Sequence, residues 1–164
     1  MMQLKHVLVA TDFSEAADAA LAYGREFART FGATLHVLHV ADDVYARLGG
    51  DSYVADLPDL QRDVEASARR RLRELLVDND PNPLPARAVV VTASATPVAI
   101  VDYVRKAHID LVVVGTHGRS GVARLLMGSV AERVVRTAPC PVLTMRRPEH
   151  DFVTPDLPVA TARV

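Results

Sequence analysis

The chain has 164 residues, about one domain's length, and 49% of them are hydrophobic but only 5% aromatic, so its core must be aliphatic. Nineteen basic against twenty acidic residues leave a formal charge of -1, without the basic excess of a sequence-independent nucleic-acid binder. One cysteine excludes an internal disulfide, no apolar run approaches the roughly 18 to 20 residues that span a bilayer, and the N-terminus lacks an export-signal pattern; a soluble cytoplasmic protein is expected.

His6 to Ala10, HVLVA, is a short apolar run that reads as a strand buried on both faces. A helix follows: Ser14 is its N-cap, Glu15 and Asp18 lie near its positive end, Ala17, Leu21, Ala28 and Phe31 recur at helical spacing, and Gly32 ends it. Ala33 to Asp42 is the second strand, and residues 43–59, with two glycines and a proline, read as a surface excursion. The helix from Leu60 sets Leu60, Val64, Ala68, Leu72 and Leu75 on one side, and its charged face reads as solvated. After PNPLP comes a third strand, ARAVVVTA, then a helix with Thr96 as N-cap and Pro97 at its first position. Ile109 to Gly115 is the fourth strand, SVAERVVRTA a helix and CPVLTMR the fifth strand. Residues 1–147 read as one domain, and 148–164, with three prolines and no period, as an extension without regular structure.

Strands alternating with helices imply an α/β fold, a doubly wound parallel sheet covered on both faces. Ligands of such sheets sit beyond the carboxyl ends of the strands, where the strand order reverses. That directs attention to Thr11 and Asp12, to Val40 through Asp42, and to Gly115 through Gly118.

Gly115, Gly118 and Gly128, followed by Ser129, fit a phosphate site. Backbone N–H groups converge on a phosphate only where no Cβ blocks approach and positive φ is open to the chain. Gly128 also precedes a helix whose first amides have no intrahelical partner. Arg119 and Arg124 can add charge, and the absence of a GK[ST] pair excludes a Walker-type loop. Two other readings stand beside this one: the glycines serve only the turn, and Ser129 with Glu132 forms an S-x-x-E capping box. Asp12 can accept from a ribose hydroxyl or compete with Ser14 as a cap, and His117 can touch a terminal phosphate or stay exposed. His36 and His39 face opposite sides of their strand, His6 stands apart, and no metal-ligand spacing is visible. Cys140, between Pro139 and Pro141 before an edge strand, reads as a structural thiol, and Leu125, Leu126 and Met127 as packing residues.

Taken together, G-x2-G-x9-G-S at Gly115, Gly118, Gly128 and Ser129, the opening HVLVATDFSEAADAAL and the strand ATLHVLHVAD resemble the ATP-binding branch of the universal stress protein family, over roughly residues 3 to 147. The resemblance implies a Rossmann-like, adenine nucleotide alpha hydrolase-like fold: one five-stranded parallel sheet of order 3-2-1-4-5. It implies that Asp12 contacts the ribose, that Val40 meets the adenine through its backbone, and that Ala10 and Thr11 line the base pocket. Gly115, Gly118, Gly128, Ser129 and Val130 would hold the phosphates of ATP, with His117 and Arg119 beside them and Mg2+ riding on the phosphates. It also implies a homodimer paired through the fifth strand, Val142 to Met145. Two positions depart from the family pattern: Ala10 stands where many members have proline, and Ser94 where glycine often precedes the helix.

The function expected is therefore a nucleotide-dependent stress or regulatory module that binds ATP. The alternatives are a slow ATPase or autophosphorylating enzyme at the same site, or a dimeric scaffold without nucleotide. Efficient phosphoryl transfer needs a positioned base and stabilised charge, and no lysine or second carboxylate is marked for it in the loop.

Overall fold

The computed structural model describes residues 3–48, 57–77, 83–116 and 127–146. The elements in chain order are β1 (His6–Ala10), α1 (Glu15–Phe31), β2 (Thr34–Asp42), α2 (Val44–Leu48), α3 (Leu57–Leu76), β3 (Ala86–Ala93), α4 (Thr96–Lys106), β4 (Leu111–Gly115), α5 (Ser129–Thr137) and β5 (Val142–Met145). The five strands form one sheet of order β3-β2-β1-β4-β5, every pairing parallel. The order reverses between β1 and β4, as the family resemblance implies.

Period-two alternation divides the core into two layers. Val7, Val9, Leu35, Val37 and Val113 point to one face, where Leu21 of α1 and Leu72 of α3 cover them. Leu8, Leu38, Val112 and Val114 point to the other, under Ile100 and Val104 of α4 and Val134 of α5. Adjacent residues of each inner strand are thus both buried, which is why these strands read as continuous apolar runs. Burying a side chain such as Leu8 or Leu72 contributes about 1.5–3 kcal/mol.

Helix ends follow local chemistry. Ser14 caps α1, accepting from the Ala17 amide at 3.4 Å, and Gly32 closes it in the left-handed conformation at φ 64°. Arg25 of α1 donates to the Leu75 carbonyl, tying α1 to α3.

Several expectations need correction. Phe31 is 38% exposed and Leu60 45% exposed, so neither belongs to the core although both share a helical period with residues that do. Phe31 lies one turn from Phe27 and stacks with it, ring centres 6.4 Å apart. The excursion expected at 43–59 includes α2 and the start of α3, which begins at Leu57 rather than Leu60; residues 49–56 lie outside the described residues. In α4 the cap is Ala95, without a side-chain bond; Thr96 is the first helical residue. Among the described residues only Phe13, Gly32 and His108 have positive φ, so Ser94 meets no glycine requirement at its turn. Among the same residues no helix is long and apolar enough to cross a membrane. The extension from 148 lies outside the described residues.

Candidate functional site

A crevice of about 740 Å3 opens at the carboxyl ends of the strands. It is lined by Ala10, Thr11 and Asp12 after β1, by Val40 of β2, and by Gly115, Gly128, Ser129 and Val130 at the β4–α5 connection. Every predicted site residue among the described ones therefore meets there. His117, Gly118 and Arg119, with Arg124, lie outside the described residues.

The β1–α1 loop is tied down by its own side chains. The Thr11 amide donates to the Leu38 carbonyl at 2.9 Å, joining the end of β1 to β2. Thr11 Oγ1 accepts from the Phe13 amide at 2.9 Å, and Asp12 Oδ1 accepts from the Ser14 amide at 3.0 Å. Asp12 thus shapes the entry to α1, while the cap proper belongs to Ser14. Phe13 is held at φ 64°. A bulky residue in the left-handed region is strained, and such strain gathers at functional sites.

Across β1 stands the β4–α5 connection. Here the reason for glycine differs from the one the sequence suggests, because neither Gly115 nor Gly128 has a positive φ. A Cβ on Gly115 would come within 2.9 Å of the Ala16 backbone, so glycine lets the first turn of α1 pack against the end of β4. A Cβ on Gly128 would lie 3.0 Å from the Thr116 carbonyl oxygen. That oxygen accepts the Gly128 amide itself at 2.6 Å, so this amide is engaged within the protein rather than turned to a ligand.

The donors come one step later. The Glu132 amide donates to the Gly128 carbonyl at 2.9 Å. The amides of Ser129, Val130 and Ala131 precede that bond and have no intrahelical acceptor, and all three residues line the crevice. The alternative reading as a capping box is not met: Gly128 is the cap, α5 has no side-chain cap bond, and Glu132 pairs instead with Arg136 at 2.9 Å. The Ser129 hydroxyl therefore stands on the first helical turn beside those amides, at the positive end of the helix dipole.

The opposite wall is one the sequence reading missed. Asp63, Ser67 and Arg71 of α3, spaced one helical turn apart, line the crevice, although the charged face of this helix was expected to meet only solvent. Arg71 sits over the Phe13 ring, 3.9 Å from its centre. His39, at the end of β2, packs its ring 4.5 Å from that of Phe13 and donates from Nδ1 to the Thr11 carbonyl at 2.8 Å. The only available signal was spacing: these polar residues lie beside Val64 and Ala68, which turn toward the sheet. No metal-binding cluster of His, Cys, Asp or Glu exists among the described residues, so the carboxylates around the crevice do not converge on one point.

The other histidines lie elsewhere. His6 does not stand apart: its Nδ1 is 3.2 Å from His36 Nε2, and His36 Nδ1 is 2.8 Å from the Tyr103 hydroxyl. Burial, then the neighbouring His6 and Arg87, lowers the pKa of His36. Cys140 packs against the α4–α5 layer, and burial raises its thiol pKa, which suits a structural role. Met127 packs in the same layer, while Leu125 and Leu126 lie outside the described residues.

Comparison with known proteins gives a consistent picture. A family model described as the universal stress protein family matches residues 3–146. Universal stress protein A homolog 1 of Coxiella burnetii is 31% identical over 144 residues, 88% of this chain and 97% of that protein. The solved structure of universal stress protein UspA from Lactobacillus plantarum is 28% identical, with a TM-score of 0.70, and covers 89% of this chain and 100% of its own. Two further structures share the fold at 22% identity. One is a universal stress protein in complex with cAMP, TM-score 0.55, covering 87% of this chain and 97% of its own. The other is the Archaeoglobus fulgidus protein in complex with dAMP, TM-score 0.54, covering 88% of this chain and 99% of its own.

Proposed function

The chain belongs to the universal stress protein family, and we propose on that footing that its crevice binds ATP and that the bound nucleotide biases a regulatory, stress-response equilibrium. One observation carries the reading: the amides of Ser129, Val130 and Ala131 and the carboxylate of Asp12 border a single crevice at the reversal of strand order. The two ends suit two chemistries. A helix start with unpaired amides favours phosphate, and a carboxylate at the end of β1 favours a ribose hydroxyl. The cAMP and dAMP bound by two proteins of the same fold support an adenine nucleotide as the ligand class.

The volume of about 740 Å3 lies within the range of ligand pockets. Val40 and Ala10 offer apolar surface for the base. With no carboxylate cluster among the described residues, Mg2+ would be carried by the phosphates, neutralising their charge, as this ion commonly binds. We propose a cytoplasmic location and a homodimer paired through β5, which among the described residues is an edge strand paired only with β4.

Binding is favoured over catalysis. Asp12 Oδ1 and His39 Nδ1 are both engaged in holding the β1–α1 loop, and no lysine lines the crevice among the described residues. Calorimetric titration of the full chain with ATP, ADP and AMP in the presence of Mg2+ tests the reading. Saturable ATP binding is expected, and a chain that takes up none of the three overturns it. Turnover above about 1 per second, the low end for ordinary enzymes, would replace the binding module by an ATPase.

A further inference from the structure

Arg71 stands out among the crevice residues. Two other arginines of α3 are paired, Arg62 with Asp59 and Arg69 with Glu65 at 2.8 Å, and neither lines the crevice. Arg71 has no ion pair among the described residues; its guanidinium carbon rests over the ring of Phe13, 3.9 Å from the ring centre. It is also the only lysine or arginine among the described residues lining the crevice, where Asp12, Asp42 and Asp63 supply the opposite sign.

The seat is rigid. Leu72, the next residue, is fully buried and Ala68, one turn back, is 5% exposed, so the backbone of α3 is fixed at this point. Phe13 is fixed in turn by Thr11 and by contact with His39. A guanidinium stacked on an aromatic face keeps in-plane N–H groups for an anion, and its fork matches phosphate oxygens. Arg71 as a whole is exposed, so its charge is open to a ligand entering the crevice while Phe13 holds its orientation.

Resting on the reading of the crevice as a nucleotide site, we infer that Arg71 is a specificity-determining residue: its guanidinium, seated on Phe13, takes an anionic phosphoryl group of the ligand and sets the preference for phosphorylated nucleotide over nucleoside. The backbone amides at the start of α5 and this cation then approach the anion from opposite walls. Asp12 and Asp63 repel a phosphate placed elsewhere in the crevice, which sharpens the preference, while Asp42 is paired with Arg47 at 3.2 Å.

The test compares wild type, Arg71→Met and Arg71→Lys as full chains, titrated with ATP, AMP and adenosine at several salt concentrations. Arg71→Met should weaken ATP about tenfold or more, leave adenosine within about twofold and flatten the salt dependence of ATP binding. Arg71→Lys, which keeps charge but loses the fork, should fall between. Thermal midpoints of all three should agree within about 4 °C, since Arg71 is exposed and only its stacking on Phe13 is lost. Equal losses for ATP and adenosine would show that the guanidinium serves the base or the wall, and unchanged ATP affinity would show that it serves neither; both overturn the inference. If wild type takes up none of these ligands, the nucleotide reading itself fails, and this inference with it.

Discussion

Gly128 donates its amide to the carbonyl of Thr116 at 2.6 Å, and Thr116 in turn donates its own amide to Met145 at 2.8 Å. Thr116 and Gly128 are thereby joined to each other at the edge of the crevice and fastened to the end of β5. Gly115 and Gly128 of the glycine signature thus have a structural use of their own.

Gly128→Ala would push a methyl against the oxygen that this amide bonds, at 3.0 Å. Combined with Gly118→Ala, it should weaken ATP by about 2 kcal/mol or more, roughly thirty-fold, if backbone approach carries the phosphates. Calorimetry with a parallel melting curve checks this. Undiminished affinity in a folded double variant would remove the loop from the account.

Ser129→Ala separates the hydroxyl's two readings. Because Ser129 is the first residue of α5 and no side chain caps that helix, stability should change by no more than about 0.5 kcal/mol. ATP affinity should nevertheless fall about tenfold, the order of one hydrogen bond to a charged group. A stability loss near 1 kcal/mol with unchanged affinity would restore the capping box.

His36 makes stability depend on acidity. It is buried between His6 of β1, Arg87 of β3 and Tyr103 of α4, and burial is the main cause of its lowered pKa. The folded chain thus holds a proton there less readily than the unfolded chain, whose imidazole titrates near 6.5. Stability from this site is full above about pH 6.5 and declines as the pH falls below it, until the folded imidazole also protonates. Urea unfolding at about pH 7.5 and about pH 5.5 should show a smaller decline for His36→Gln than for wild type. Identical declines would assign the acid sensitivity elsewhere.

β5 offers a direct test of the proposed dimer. Pro141 and Met145 turn their carbonyls to β4, so alternation turns the amides of Val142 and Thr144 to the open edge. Thr144→Pro removes an outward donor and spares the ladder to β4. Sedimentation should show wild-type dimers and variant monomers with unchanged circular dichroism. A variant that stays dimeric moves the interface away from this edge.

The sequence by itself determined the strand–helix alternation, the inner strands as continuous apolar runs, Ser14 and Gly32 as the ends of α1, and Thr11, Asp12, Val40, Gly115, Gly128 and Ser129 of the crevice, while Ala10 and Val130 came only from the family resemblance. These signals are local: apolar period, cap chemistry and glycine spacing act between residues close in the chain. It did not determine that Gly115 is glycine because α1 packs against it at Ala16, that His6 meets His36 across neighbouring strands, or that Asp63, Ser67 and Arg71 form a wall of the crevice. Phe31 and Leu60 share an apolar period with buried residues yet face solvent, since a helix end can run beyond the sheet it covers. Each of these rests on contacts between residues far apart in the chain. Only strand register and helix docking bring such groups within hydrogen-bond or van der Waals reach, and those are properties of the folded whole.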